Sequence, residues 1–280
     1  MIAEFGENDH FDGNLRADVT VLFSRRKLFG LGATGLILAG CDSLPFMGGG
    51  EANATGTAAD GTSCIKLPQE TNGPFPSDDT NACAGATVNV LDQSGVVRPD
   101  MRASFGAYSD VAEGVPLALE IRLVNVKNAC APLAGHLIYL WQCDAEGQYS
   151  LYERTESNRL RGAAITDDAG IARIITIVPG CYSGRWPHIH LEVFVSVDQA
   201  AAGTESLLTS QFAFTKVDCD SVYAAHPAYA ASAANLAALA LDSDMVFRDN
   251  TAEQVKAQTL VLDGGVAQGY SGKGTIGIMV

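Results

Sequence analysis

The chain has 280 residues, of which 47% are hydrophobic, and it carries a net charge of −14 with a pI near 4.6. That apolar fraction belongs to a globular protein with enough chain for a sizeable core, and it excludes the fibrous and polytopic membrane classes. The acidic balance excludes nucleic acid as a partner, because that binding rests on clustered Lys and Arg neutralising phosphates.

Residues 1–23 mix charges without periodicity and carry no assigned function. Ser24, Arg25, Arg26, Lys27, Leu28 and Phe29 then lead into an uncharged apolar run ending at Ala39, which has the layout of a secretory signal and is too short to span a bilayer. The adjacent arginines point to twin-arginine export. Leu38, Ala39, Gly40 and Cys41 resemble a bacterial lipobox. Residues 1–40 therefore read as leader and signal peptide, with Cys41 the lipidated first residue of the mature protein. The expected location is the bacterial cell envelope, facing the periplasm or exterior, with membrane contact through the lipid anchor only. Residues 41–63 read as a flexible tether, because the stretch from Gly48 to Gly61, with Gly49, Gly50 and Thr55, is small and polar.

The folded part begins near Cys64 and runs to Val280 as one domain, a length that all-β domains fill without division. Residues 65–76 contain Pro68, Gly73, Pro74 and Pro76, so regular structure is not expected there. Strand-like patterns follow at 117–126 and 137–141, which the break at Ala131, Pro132, Leu133, Ala134 and Gly135 presents as an antiparallel pair. Further strands are expected at 161–166, 171–178, 188–197, 207–215, 259–262 and 275–280. Asp167, Asp168, Ala169 and Gly170 have the chemistry of a hairpin turn between two of these. The alanine-rich stretch 224–241 reads equally as a surface helix or as a loose excursion from His226 and Pro227. Repeated short strands with Gly and Asp turns imply an all-β fold, an antiparallel β-sandwich with irregular N-terminal and C-terminal extensions.

The chemistry concentrates in residues 178–190, where Tyr182, Arg185, His188 and His190 fall close together. His188 and His190 open a β-rich run, so they face the same way, two potential ligands aimed at one spot. The Pro179, Gly180, Ser183 and Gly184 turns can fold Tyr182 back over that strand. Taken alone, a His-x-His pair is more often a polar pair on a strand face. A second stretch changes the balance: after the apolar run ending at Trp141, the turn through Asp144, Glu146 and Gly147 presents Tyr149.

Together the two stretches resemble the intradiol ring-cleavage dioxygenases of the catechol and protocatechuate type, whose non-haem iron(III) is held by two tyrosines and two histidines. Carried over residue by residue, the ligands fall on Tyr149, Tyr182, His188 and His190, and the active-site Arg falls on Arg185. Gln211, on the strand after the histidines, matches a Gln near the substrate, although an extra loop at 200–205 separates it from His190. The segment Glu70, Thr71, Asn72, Gly73, Pro74 resembles one that precedes the sandwich and packs near the site's mouth. The resemblance covers 64–280 and places the chain in a secreted lipoprotein branch. It implies one Fe(3+) per chain, a catechol-type substrate, O2, and a cis,cis-muconate product. Iron(III) is a hard Lewis acid that suits phenolate oxygen, and neutral imidazoles complete the set. The resemblance gives Tyr182 the role of the ligand displaced when substrate chelates and Tyr149 the retained role. Arg185, cationic throughout, would stabilise negative charge on the substrate ring.

His136 and His226 read as surface or satisfied core residues, and Tyr139, Tyr152, Tyr223, Tyr229 and Tyr270 as packing residues with hydrogen-bonded tips. Asp144 and Glu146 read as a hydrophilic turn. Besides Cys41, the chain has Cys64, Cys83, Cys130, Cys143, Cys181 and Cys219; an exported domain suggests disulfides, whose pairing the sequence leaves open. Cys181 departs from the bulky aromatic that secreted relatives often place before this Tyr. The helical dimerisation segment of the cytoplasmic catechol enzymes has no counterpart before Cys64. The alternative from another class is a non-catalytic envelope lipoprotein whose site binds a metal or phenolic ligand. A copper site on His188 and His190 lacks a further histidine.

Overall fold

The computed structural model describes residues 54–83 and 86–280. The leader, the twin-arginine motif, Cys41 and the start of the tether lie outside the described residues. From Ala54 onward the chain is already built into the domain, so the tether's last part is ordered structure. Strand β1 (Thr55–Thr57) pairs antiparallel with β2 (Ser63–Ile65).

The other strands in chain order are β3 (Asp78–Cys83), β4 (Ala86–Asn89), β5 (Pro116–Asn125), β6 (Ala131–Pro132), β7 (Leu137–Trp141), β8 (Arg161–Ile165), β9 (Ile171–Ile177), β10 (His188–Phe194), β11 (Leu208–Phe214), β12 (Thr259–Leu260), β13 (Leu262–Gly265) and β14 (Gly269–Ile278). Helices are few and short: α1 (Val197–Ala201), α2 (Lys216–Ala225), α3 (Ala230–Leu236) and α4 (Ala252–Gln258). Besides the two-stranded pairs β1-β2 and β3-β4, the described residues form two five-stranded sheets, one running β12-β11-β10-β7-β8 and the other β13-β14-β5-β6 with β9 also on β5.

Both sheets are mixed, which corrects the purely antiparallel expectation. β14 runs parallel to β5 from Tyr270↔Leu117 to Ile278↔Asn125, and β12 runs parallel to β11. The helical segment between β11 and β12 supplies the crossover that a parallel neighbour requires. That segment also replaces the irregular C-terminal extension. The 224–241 stretch is divided as its Pro dictates: α2 ends at Ala225, His226 caps a 3-10 turn at Pro227–Tyr229, and α3 resumes at Ala230.

A second correction concerns β5 and β7, which belong to different sheets. After β5 the chain returns only as far as β6, pairing Val124 with Pro132, and then crosses over. The physical reason is burial. All five residues of β7 are buried, so it suits an interior position between β10 and β8. The Asp167 turn forms, with Gly170 donating to the Asp167 carbonyl at 2.8 Å, yet β8 and β9 then pair with different sheets.

The alternating inner residues Leu117, Leu119, Ile121 and Leu123 of β5 share one core with Ile189, Leu191 and Val193 of β10 and with Phe212 and Phe214 of β11. Because Ile189, Leu191 and Val193 point inward, His188, His190 and Glu192 must point to the opposite face. There a second cluster, including Tyr139, Trp141, Tyr149 and Phe194, covers them.

Among the described cysteines, Cys64 and Cys130 form a disulfide that closes a loop with a sequence separation of 66. Constraint of an unfolded loop of that length is worth about 4 kcal/mol. Cys143, Cys181 and Cys219 are free and buried, which narrows the expectation of several disulfides. The Cys181 thiol instead donates to the Ser232 carbonyl at 3.2 Å.

Candidate active site

Strand pairing fixes the register of the site. His190 stands opposite Trp141 on one side and Gln211 on the other. The Trp141 ring stacks on the His190 ring at 4.7 Å and 8°, and this contact orients the imidazole, whose Nδ1 has no hydrogen-bond partner among the described residues. His188 is oriented differently, by its Nδ1 facing the Trp186 carbonyl at 2.5 Å. A proton on that nitrogen leaves Nε2 with its lone pair pointing into the site, the arrangement that metal-binding imidazoles adopt.

The loop after β7 delivers the first phenol. Asp144 is buried; it accepts from the Glu146 and Gln148 amides at 3.0 Å and pairs with Arg159 at 3.0 Å. Gly147 has φ +88, and a Cβ there would lie 2.6 Å from the Cys181 carbonyl oxygen, so only glycine lets this turn meet the Tyr182 loop. Glu153 then accepts the Tyr149 amide at 2.7 Å. Asp144 and Glu146 thus serve as a structured turn, as the sequence implies, one that aims Tyr149.

Tyr149, 1% exposed, places its hydroxyl 3.2 Å from His188 Nε2 and 3.1 Å from His190 Nε2, and the two Nε2 atoms are 3.1 Å apart. Tyr182 completes the cluster at its rim, half-buried, with ring centroids 5.9 Å from both Tyr149 and His188. The four sequence-predicted ligands therefore converge. Burial, with Arg185 close by, pushes the His188 imidazole well below its usual pKa. Burial and then His188 do the same to His190, so both are neutral. Burial raises both phenols, Tyr149 far above the ordinary range, so ionising either needs a cation at its oxygen.

These residues fit a ferric ion. Donor separations of 3.1 to 3.2 Å are those of neighbouring ligands on one metal with bonds of about 2 Å. Phenol oxygen with neutral imidazole is a hard-to-borderline set suited to iron(III). Among the described residues no three His, Cys, Asp or Glu side chains gather as a metal-ligand set, so the phenols are essential to this reading.

Arg185 and Gln211 flank the cluster as expected. The guanidinium donates to Gln211 Oε1 at 2.6 Å and approaches the Tyr182 hydroxyl at 3.5 Å. Gln211 Nε2 in turn donates to the Thr71 carbonyl at 3.1 Å, which holds the mouth segment over the site. Gly73, with φ +69, would carry a Cβ 3.2 Å from His190 Cε1, so the segment lies directly on the imidazole. Phe75 packs against Tyr149 at 5.1 Å.

Sequence reasoning missed Asp244. Its carboxylate accepts from Arg185 Nε at 3.1 Å, from the Trp186 amide at 2.7 Å and from the Val246 amide at 2.8 Å. Burial opposes its charge, but Arg185 and those amides outweigh it and keep the carboxyl below its usual range. Nothing in local spacing signals a partner 59 residues away. The remaining tyrosines with assigned contacts have satisfied tips: Tyr139 donates to Pro76, Tyr223 to Pro179 and Tyr229 to Val178, while Ser77 donates to Tyr152. His136 and His226 bond locally within turns. A cleft of about 680 Å³ lies elsewhere, lined by Trp186, Phe247, Arg248, Asn250 and Val255, and does not include the Tyr and His cluster.

Residues 102–255 match the family model described as Dioxygenase. The intradiol ring-cleavage dioxygenase of Tetranychus urticae shares the fold with a TM-score of 0.58 at 20% identity, over 77% of this chain and 95% of that one. The dioxygenase domain of a dioxygenase carbohydrate-binding protein fusion from Streptomyces sp. SirexAA-E aligns with a TM-score of 0.45 at 22% identity, over 77% of this chain and 99% of that one. No curated protein matches the chain. With a family model spanning more than half of its length, this chain belongs to the intradiol ring-cleavage dioxygenase family.

Proposed function

We propose that the chain is a non-haem iron(III) enzyme that opens a catechol-type ring between its two hydroxyl-bearing carbons, inserting both atoms of O2 to give a cis,cis-muconate-type product. The observation that carries this reading is the convergence of the Tyr149 hydroxyl and the two inward Nε2 atoms, with Tyr182 and Arg185 beside them. Tyr149, Tyr182, His188 and His190 would hold the ion. When bound, ferric iron supplies the Lewis acidity that ionises a catechol and readies it for dioxygen. Tyr182, at the rim, is placed to accept a hydroxyl proton from the incoming catechol. Arg185, fixed between Asp244 and Gln211, puts a permanent positive charge where negative charge develops on the ring. The Thr71 to Phe75 segment and Trp141 exclude water from the ligands' inner side.

The test is turnover of catechol under isotopically labelled dioxygen by iron-loaded protein. Both labelled atoms are expected in a single ring-opened dicarboxylic product. A product carrying one labelled atom, or a protein that binds iron and catechol without turnover, sinks the reading; the second result selects the non-catalytic alternative.

We also propose export by the twin-arginine route and a lipid anchor on Cys41, supported by Arg25, Arg26 and the lipobox-like Leu38 to Cys41 sequence. Stable anchoring takes more than one acyl chain. Cys41→Ser is therefore expected to move the protein from the membrane to the soluble fraction of the producing bacterium. A wild-type protein already soluble, with an unmodified Cys41 thiol, rules the anchor out.

A further inference from the structure

Behind Arg185 lies a ring of hydrogen bonds that the reaction chemistry does not call for. Gln211 Nε2 donates to the Thr71 carbonyl at 3.1 Å, and Thr71 follows Glu70 in the mouth segment. Glu70 Oε1 accepts from Asn250 Nδ2 at 2.7 Å. The same Nδ2 donates to Gln258 Oε1 at 2.9 Å, and Gln258 Nε2 donates to the Gln211 carbonyl at 3.3 Å, closing the ring. Helix α4 sets the two amides in place. A capping box between Thr251 and Gln254 starts it just after Asn250, and Gln258 is its final residue. Gln258 and Gln211 are both fully buried, so each bond left unmade would cost the desolvation of a polar group. Two chain segments, residues 70–71 and residues 250–258, are thereby tied to Gln211, the first at its side chain and the second at its backbone carbonyl, and that side chain accepts from the Arg185 guanidinium at 2.6 Å.

We propose that Glu70 is a positioning residue for Arg185, acting through Asn250, Gln258 and Gln211, and that its charge state sets how fully the guanidinium is available to an anionic substrate. This rests on the reading of Arg185 as the group that faces substrate charge. The charged groups that act on the Glu70 carboxyl are Asp249 and Arg185; Asn250 and Gln258 are its neutral partners. Burial is the main influence, and with Asp249 it lifts the carboxyl to about 7, against the opposing pull of the Asn250 amide, Gln258 and Arg185. Below that pH the carboxyl is neutral and Arg185 balances Asp244 alone. Above it a second negative charge draws on the same guanidinium and competes with the catecholate. The sign for stability follows. A carboxyl raised above its usual 4.5 favours the folded state at low pH, and that contribution is lost as the pH rises toward 7.

The experiment is an anaerobic titration of full-length, iron-loaded protein with catechol at pH 6 to 8.5, in wild type and Glu70→Gln. Catechol's own ionisation affects both proteins equally, so the ratio of their affinities isolates Glu70. We expect the ratio to move in favour of Glu70→Gln by about tenfold across this range, the effect of one nearby charge, with its midpoint near 7. A flat ratio overturns the proposal. A second arm needs no metal: melting temperatures of the apo protein for Glu70→Gln, Arg185→Met and the double variant at pH 5.5 and 8. Linked residues give a non-additive shift of about 2–4 °C that is larger at pH 8; additivity at both pH values overturns the proposal. If Arg185→Met does not fold, Arg185→Lys, which cannot fork between Asp244 and Gln211, completes the cycle. Failure to bind iron or catechol defeats the dioxygenase reading alone, and the apo cycle still decides the role of Glu70.

Discussion

His188→Ala and His190→Ala proteins, purified after growth in ample iron, are expected to retain less than about one-tenth of the wild-type iron and to show no ring cleavage above background. Losing even a residue that merely orients a ligand weakens metal binding about 10- to 100-fold, and losing the ligand itself costs more. Both imidazoles are buried and neutral, with Nε2 atoms 3.1 Å apart around the Tyr149 hydroxyl, so each fills its own position in the donor set. The two variants differ in their effect on folding. His190 carries the stacked Trp141 ring, so its truncation opens a cavity beneath a large buried side chain, whereas His188 leaves a carbonyl without its donor. Iron content by elemental analysis, read against circular dichroism of the same samples, checks the claim. Wild-type iron in both variants, with native spectra, would mean that the histidines are not ligands.

The two histidines were legible because strand alternation is a strict rule. Once residues 188–194 form a strand, with Ile189, Leu191 and Val193 apolar, His188 and His190 must share the opposite face. The turns around Tyr182 and before Tyr149 suggested that both phenols approach the strand, but their place as ligands came through resemblance, since a phenol in a loop has no periodicity to betray where it points. Gln211 also came through resemblance, and its register opposite His190 absorbs the extra α1 helix between them. Asp244 and Glu70 were not recoverable. Asp244 bonds Arg185 from 59 residues away and Glu70 bonds Asn250 from the mouth segment, and only tertiary folding reveals either contact. The same limit applies to sheet membership. Both β5 and β7 have strand patterns, but nothing local says that the Ala131 to Gly135 break changes sheets, or that the last strand returns parallel to β5.

The two tyrosines are expected to behave differently when replaced, and the asymmetry is built into their positions. Tyr149 is 1% exposed, touches both Nε2 atoms, and has its backbone pinned by Glu153 and its turn by Asp144. Tyr182 is half-buried, lies on the glycine-flanked loop of residues 180–184, and meets the guanidinium of Arg185 at 3.5 Å. The first has no room to move; the second can swing outward and keep a cationic partner for its oxygen. Tyr182→Phe is therefore expected to bind iron through three side chains and still take up catechol anaerobically. Its turnover should fall by about 10²- to 10⁴-fold, the usual contribution of a positioned proton acceptor. Tyr149→Phe removes the phenol that stays in place, so its catechol complex should lose most of its tyrosinate colour. Resonance Raman spectra of the two anaerobic complexes distinguish the cases, since tyrosinate bands should persist in Tyr182→Phe and vanish in Tyr149→Phe. The opposite pattern reverses the roles of the two residues, and spectra unchanged by either replacement remove both from the ligand set.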